Sequence, residues 1–350
     1  MRRAVFQVHL WMGVLTGVYI FIVSITGAAL VFRIDMQRAL YPGLFTAKSQ
    51  GPLADPVAVM ESVSRAYPDH ALSGVDAPTS GRPTYLAYVT RGSDFLTILI
   101  DPVSAEVLGV LPDRTIIRSI QDLHFNLLLG RNGRFVNGLG AICALVMCAT
   151  GLWIWWTSRR NWRRVNWELH RTAGVWSVLF IAMWSITGLS FGFPREFRSA
   201  ISWVSPISGG RAPQSRHADH AAGASRPSGQ AQIETARGAM PGRPVARVVL
   251  PFDDRAAFLV MFATASPTPA GAALTPVYLD QFTGQVLEES PTPRTAGDRI
   301  MSWMVPLHVG DFSSRGLKAV WFVMGLMPAV LYLTGLTMWW TRVVRPRQTR

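Results

Sequence analysis

Charge is scarce in this sequence: Asp, Glu, Lys and Arg supply 16% of its 350 residues, against 49% apolar ones. That is too little charge to face water over the whole surface of a soluble chain of this length. Lysine is nearly missing, with Lys48 and Lys318 standing alone, so arginine carries the formal charge of +13. Cysteine is confined to Cys143 and Cys148, five residues apart inside an apolar run. This argues against a disulfide framework and against thiolate metal chemistry, and leaves both as small packing residues.

What is present is apolar length. Stretches at about 10–32, 135–156, 172–193 and 317–340 each hold the roughly 20 residues a helix needs to cross the hydrocarbon, and none contains Asp or Glu. The first follows Met1-Arg2-Arg3 as a signal peptide would, but it is too long for such a segment and recurs within the chain, so it is read as a first membrane helix. Arginines gather at one side of the runs: Arg2 and Arg3 before the first, Arg159, Arg160, Arg163, Arg164 and Arg171 between the second and third, and Arg342, Arg345 and Arg347 after the fourth. Positive charge marks the cytoplasmic side, which places both termini there. Trp155, Trp156, Trp339 and Trp340 fall where an aromatic belt belongs on that side. Topology thus accounts for much of the basic charge, and no nucleic-acid partner is expected.

The sequence also repeats itself. The first and third runs align without a gap at an offset of 161: His9 with His170, Gly13 with Gly174, Ser24 with Ser185, Thr26 with Thr187 and Gly27 with Gly188. The second and fourth align at an offset of 184: His124 with His308, Arg131 with Arg315, Thr150 with Thr334, Gly151 with Gly335, and Trp155-Trp156 with Trp339-Trp340. Each unit holds an even number of crossings, so the two repeats lie parallel, related by an axis along the membrane normal.

The expected fold is a mainly α membrane protein with four transmembrane helices from two parallel repeats, each carrying a small α+β domain outside the membrane. Helix one occupies 1–33, a first domain 34–123, a His-bearing segment and helix two 124–157, and a cytoplasmic loop 158–169. Helix three covers 170–193, a second domain 194–307 with a flexible insertion at 206–230, a His-bearing segment and helix four 308–341, and a cytoplasmic tail 342–350. Within the domains, Asp55-Pro56 reads as a helix start. Strands are expected at 83–90, 95–101, 244–251, 256–263, 275–280 and 284–288, and a helix near 230–239. The segments ILIDPVSAEVL and VYLDQFTGQVL correspond through Asp101 and Asp280 and read as hairpins.

Four of the seven histidines are matched by the self-similarity. His9 and His170 fall at the cytoplasmic starts of helices one and three, and His124 and His308 on the other side, so each pair can face across the bundle. Two opposed imidazoles between apolar helices suit a haem with both axial positions filled, which favours electron transfer over chemistry at the iron. No Cys-x-x-Cys-His occurs, so such a haem would be b-type, one per pair and two in all. Zinc or copper would find only two ligands here. A capping or interfacial role remains open for each histidine taken singly. Arg131 and Arg315 could pair with haem propionates or with lipid headgroups. His70, His217 and His220 have no matched partner and read as solvated residues, with metal binding a lesser alternative for the last two.

The H-x-x-x-G starts, the S-I-T-G cores, the T-G-L-x-x-W-W endings and the D-x-x-[ST]-x-x-V-L hairpins together resemble the PepSY-associated transmembrane proteins. That bacterial inner-membrane family includes iron-regulated membrane proteins and siderophore reductases. The resemblance implies PepSY-like domains in the periplasm, two b-type haems with His9, His170, His124 and His308 as iron ligands, and reduction of a ferric siderophore or other ferric chelate for iron release. The electron donor would be quinol or a cytosolic flavoprotein reductase. A membrane-anchored PepSY module that senses or inhibits peptidases without redox activity is the competing reading. A transporter is disfavoured by two-span repeats and by apolar runs free of carboxylates.

Overall fold

Without an intramembrane partner for its peptide groups, an apolar run must satisfy them internally, and here four runs do so as long helices. The computed structural model describes residues 2–79, 81–157, 165–207, 212–215, 227–263, 274–289, 295–310 and 314–344. The arginines at 159, 160, 163, 164, 345 and 347, His217 and His220, and most of the 206–230 insertion lie outside them. The chain divides into two compact units, one drawn from Met1–Arg33, Ile116–Ser205 and Ile300–Arg350, the other from Ile34–Thr115 and Pro206–Arg299.

The first unit is a helical bundle. Its long members are α1 (Arg2–Leu30), α6 (Gly130–Thr157), α7 (Val165–Gly192) and α11 (Arg315–Trp339). All four are long and apolar enough to cross a membrane. Shorter helices α5 (Ile116–Asn126), α8 (Pro194–Val204) and α10 (Ala296–Val309) accompany them. α1 packs on α6 and α11, and α7 packs on the same two. α1 and α7 therefore lie across the bundle from each other. Pro328 interrupts the α11 ladder, since its ring nitrogen has no hydrogen to donate. Ser24 of α1 joins the ladder there, donating from Oγ to the Gly325 carbonyl (2.5 Å) and accepting from the Ala329 N–H (3.2 Å).

Where the sequence suggested a single His-bearing approach to helices two and four, the histidines sit on separate helices, α5 and α10. The chain reverses between α5 and α6 through Leu127 (φ 52°), Leu128 (φ 61°) and Gly130 (φ 56°). Two non-glycine residues in the left-handed region are uncommon and hold the turn in a strained form.

The second unit contains α2 (Arg33–Leu40), α3 (Pro42–Phe45), α4 (Pro56–Ala66) and α9 (Gly229–Ala239), with strands β1 (Ala71–Asp76), β2 (Tyr85–Arg91), β3 (Asp94–Ile100), β4 (Val107–Leu111), β5 (Val245–Val249), β6 (Phe258–Ala263), β7 (Leu274–Leu279) and β8 (Val286–Glu289). α4 starts at the Asp55-Pro56 signal, with the Asp55 carboxylate accepting from the Val57 N–H. Val59 and Val63 of α4 pack on Val75, Ala87, Val89 and Ile98, while Ile233 and Ala236 of α9 pack on Val248, Val260, Phe262 and Val277. Alternate strand residues thus bury one sheet face under two helices.

The sequence suggested two separate domains. The structure instead forms one antiparallel sheet in the order β4-β3-β2-β1-β5-β6-β7-β8, joined through β1 and β5. β1 was not foreseen, because Ala-Leu-Ser-Gly-Val-Asp carries little β propensity. Its Gly74 is what the junction needs: a Cβ there would stand 2.7 Å from the Val248 carbonyl oxygen across the β1/β5 boundary. Asp76 of β1 then receives Arg247 of β5 in a bidentate pair, Nε to Oδ1 at 2.5 Å and Nη2 to Oδ2 at 2.7 Å.

The turn after β3 is organised by buried Asp101, whose carboxylate accepts four backbone N–H bonds, from Lys48, Ser49, Val103 and Ser104 at 2.7–3.2 Å. Burial alone would raise its pKa, but the four donors favour the charged form and hold it down at about 2. A depressed carboxylate pKa stabilises the fold above its unfolded value near ~4, and that contribution is lost as pH falls through about 2. Asp101→Asn turns an N–H donor toward N–H donors and is expected to cost about 2–3 kcal/mol. Thermal unfolding of the purified chain checks this, and an unchanged midpoint would contradict it.

Candidate functional site: two histidine pairs in the bundle

The bundle brings the four sequence-matched histidines together as two pairs. His9 of α1 and His170 of α7 have ring centroids 6.4 Å apart with planes at 88°. His124 of α5 and His308 of α10 have centroids 6.1 Å apart with planes at 54°. At the first pair, His9 Nδ1 lies 2.9 Å from Thr150 Oγ1 and His170 Nδ1 lies 2.8 Å from Thr334 Oγ1. At the second, His124 Nδ1 lies 3.2 Å from Thr26 Oγ1 and 3.1 Å from the Val23 carbonyl, and His308 Nδ1 lies 2.8 Å from Thr187 Oγ1.

The tautomer follows from these contacts. Each threonine hydroxyl already donates to a carbonyl one turn back: Thr150 to Val146, Thr334 to Val330, Thr26 to Ile22 and Thr187 to Met183, at 2.7–2.9 Å. Its oxygen is left to accept, so the histidine Nδ1–H donates and the Nε2 lone pair is free. None of the four Nε2 atoms has a hydrogen-bond partner among the described residues. A donor held at Nδ1 with Nε2 left open is the arrangement seen in metal-ligating imidazoles.

Neighbouring glycines make the room. A Cβ at Gly151 would stand 3.1 Å from His9 Cε1, one at Gly335 3.4 Å from His170 Cε1, and one at Gly27 2.7 Å from His124 Cε1. Three of the four Thr-Gly dipeptides thus act as units, threonine holding the ring and glycine admitting it, whereas a Cβ at Gly188 would meet only Ala141. The main chain at the second pair is fixed too: Asn137 Nδ2 donates to the His124 carbonyl (2.8 Å) and Trp184 Nε1 to the His308 carbonyl (3.1 Å).

Beside His9 and His170 opens a cavity of about 390 Å³, lined largely by apolar side chains including Leu10, Val14, Met147, Val178 and Leu331. Cys148 is part of that lining and Cys143 is a free, half-buried thiol, in keeping with packing roles. No group of three or more His, Cys, Asp or Glu able to hold a metal ion occurs among the described residues. A bare zinc ion would meet two nitrogens where a closed site takes four ligands. A planar macrocycle supplying four equatorial nitrogens and needing two axial ones fits the donor set. The spacing fits as well: two imidazoles bound at about 2.0 Å to one metal have centroids roughly 6 Å apart once the ring radii are added.

Other residues picked out in the sequence are placed differently. Arg131 and Arg315 are exposed at the starts of α6 and α11, with no hydrogen bond or ion pair among the described residues. His70, expected to be solvated, has an 11% exposed side chain, 3.8 Å from Asp94 and edge-on to Tyr67. The structure also singles out Thr26, Thr150, Thr187 and Thr334, which sequence reasoning aligned without assigning a role. Their identity at matched positions was the available signal.

This architecture defines a multi-pass membrane protein whose helices present two histidine pairs, with a separate antiparallel sheet unit. The chain belongs to the PepSY-associated TM region family, whose pattern matches residues 6–342. No curated protein matches it.

Proposed function

We propose that this protein is an inner-membrane electron carrier that holds two b-type haems, on His9/His170 and His124/His308, and delivers electrons from the cytoplasmic side to a periplasmic ferric chelate such as a ferric siderophore. The observation that carries this reading is the shared geometry of the two pairs: facing imidazoles, each with Nδ1 tied to a threonine and Nε2 open. A haem with two histidine ligands supplies a one-electron ferric/ferrous couple with no open iron position. The chain's part is to ligate, orient and desolvate. Threonine holds each imidazole in its ligating tautomer, and the apolar helices keep water away.

Placement supports conduction across the membrane. His9 and Thr26, which mark the two pairs on α1, are 17 residues apart, roughly 26 Å along the helix. The pairs together therefore reach across most of the ~30 Å hydrocarbon. The flanking arginines support a cytoplasmic placement of the His9/His170 end, where quinol or a flavoprotein reductase would donate. Ferrous iron binds hard-oxygen chelators far more weakly than ferric iron, so reduction releases it.

The test is a reduced-minus-oxidised spectrum with pyridine haemochrome quantification on detergent-purified protein. About two low-spin b haems per chain are expected. A protein that stays colourless after expression with ample haem overturns the proposal and leaves a membrane-anchored binding module.

A further inference from the structure

Apart from the two histidines, the charged side chains that line the His9/His170 cavity are both arginines. Beside Gln7, Trp155, Trp167 and Tyr332, its lining donors are Arg171, next in sequence to His170, and Trp339 and Arg342, four and seven residues beyond Gly335. Of these donors, Arg171 Nε and Trp339 Nε1 are buried without a hydrogen-bond partner among the described residues. Arg342 stands over the Trp167 ring, its guanidinium carbon 5.7 Å from the ring centroid. Buried N–H donors left unsatisfied are costly, and more so when charged, so a pair of them in one lining marks a place where a ligand acceptor completes the site. Among the described residues no carboxylate lines this cavity; Glu168, one turn before Arg171 on α7, also has a buried oxygen without a partner but is not part of the lining.

We propose that Arg171 and Trp339, with Arg342 at the rim, form a carboxylate-binding subsite of this cavity that takes the propionates of the macrocycle held by His9 and His170. The inference rests on the haem reading above and fixes which way the ring lies within that site. Trp339 and Arg342 lie beyond Gly335 toward the end where α11 closes, and Arg171 stands next to His170 at the histidine level of α7, so the carboxylates would be received at that edge of the site. Arg131 and Arg315, at the opposite ends of α6 and α11, have no part in this site. Arg171 donates a charge-assisted bond, and the indole adds a neutral one.

Equilibrium redox titration of the full chain tests this. An Arg near the macrocycle favours the reduced, more negative state and keeps its carboxylate ionised. Arg171→Gln is therefore expected to lower one of the two midpoints, leave the other in place, and weaken haem retention at that site about tenfold, the size of one lost charge-assisted hydrogen bond. The affected midpoint should also become pH-dependent, falling as pH rises, because the unpaired propionate now takes up a proton on reduction. Arg171→Lys should restore the pH-independence in part. Trp339→Phe removes one donor without changing charge, and should lower retention at the same haem even where Arg171→Gln fails to accumulate. Unchanged midpoints, pH profile and retention in these variants overturn the inference while leaving the haem assignment intact, as does a shift produced by Arg131→Gln or Arg315→Gln instead. A wild-type protein without haem sinks both.

Discussion

A chain carrying His124→Ala and His308→Ala is expected to retain about one b haem instead of two and to lose reduction of an external ferric chelate down to the level of membranes lacking the protein. The reason is geometric. The second pair lies at the far end of α1 from His9, where His124 meets Thr26, and on the haem reading proposed above its removal takes away the redox centre on that side while α1, α6, α7 and α11 keep their packing. The reverse change, His9→Ala with His170→Ala, should also leave one haem, reducible by small artificial donors from outside but no longer by the physiological one. Haem counting and chelate reduction in inverted and right-side-out vesicles separate the two. Undiminished chelate reduction in the first variant would show that the route bypasses His124 and His308.

Thr150→Val with Thr334→Val should weaken haem binding at the His9/His170 site by about 10–100-fold, the usual cost of removing the group that orients a metal-ligating histidine. Valine keeps the volume of threonine but offers no acceptor to Nδ1–H, so the proton is free to move to Nε2 and block the ligating lone pair. The hydroxyl's own bond to the preceding turn is dispensable for a helix. The other pair yields a contrast. Thr187 Oγ1 is the acceptor recorded for His308 Nδ1, whereas His124 Nδ1 has the Val23 carbonyl at 3.1 Å as well as Thr26. Thr187→Val is therefore expected to harm binding more than Thr26→Val. Titration of the apo-variants with haem measures all three, and equal affinities across the series would remove the threonines from the site.

The residues that were easy to read are those whose chemistry is strong taken alone. Four long apolar runs without carboxylates can do little but cross a bilayer as helices. A histidine recurring at matched positions beside apolar helices invites a ligand reading, and His9 meets His170 as His124 meets His308. Threonine sends no such signal, because a threonine in an apolar helix usually bonds only to its own preceding turn, as all four here also do. Arg131 and Arg315 drew notice by matching each other, yet Arg171 and Arg342, read only as topology signals, are the ones that line a cavity.

The amino-acid sequence by itself determined the membrane class, the number of spans and the matching of histidines, because these rest on composition, run length and spacing, which are local quantities. Tertiary structure decided what depends on distant segments meeting: the joining of β1 to β5 where Gly74 admits the Val248 carbonyl, the lifting of His124 and His308 onto their own helices, and the threonine lock on each imidazole. A hydrogen bond between His9 and Thr150 spans 141 positions of sequence. Such a contact is set by how helices pack around a common centre, and no periodicity along the chain encodes it.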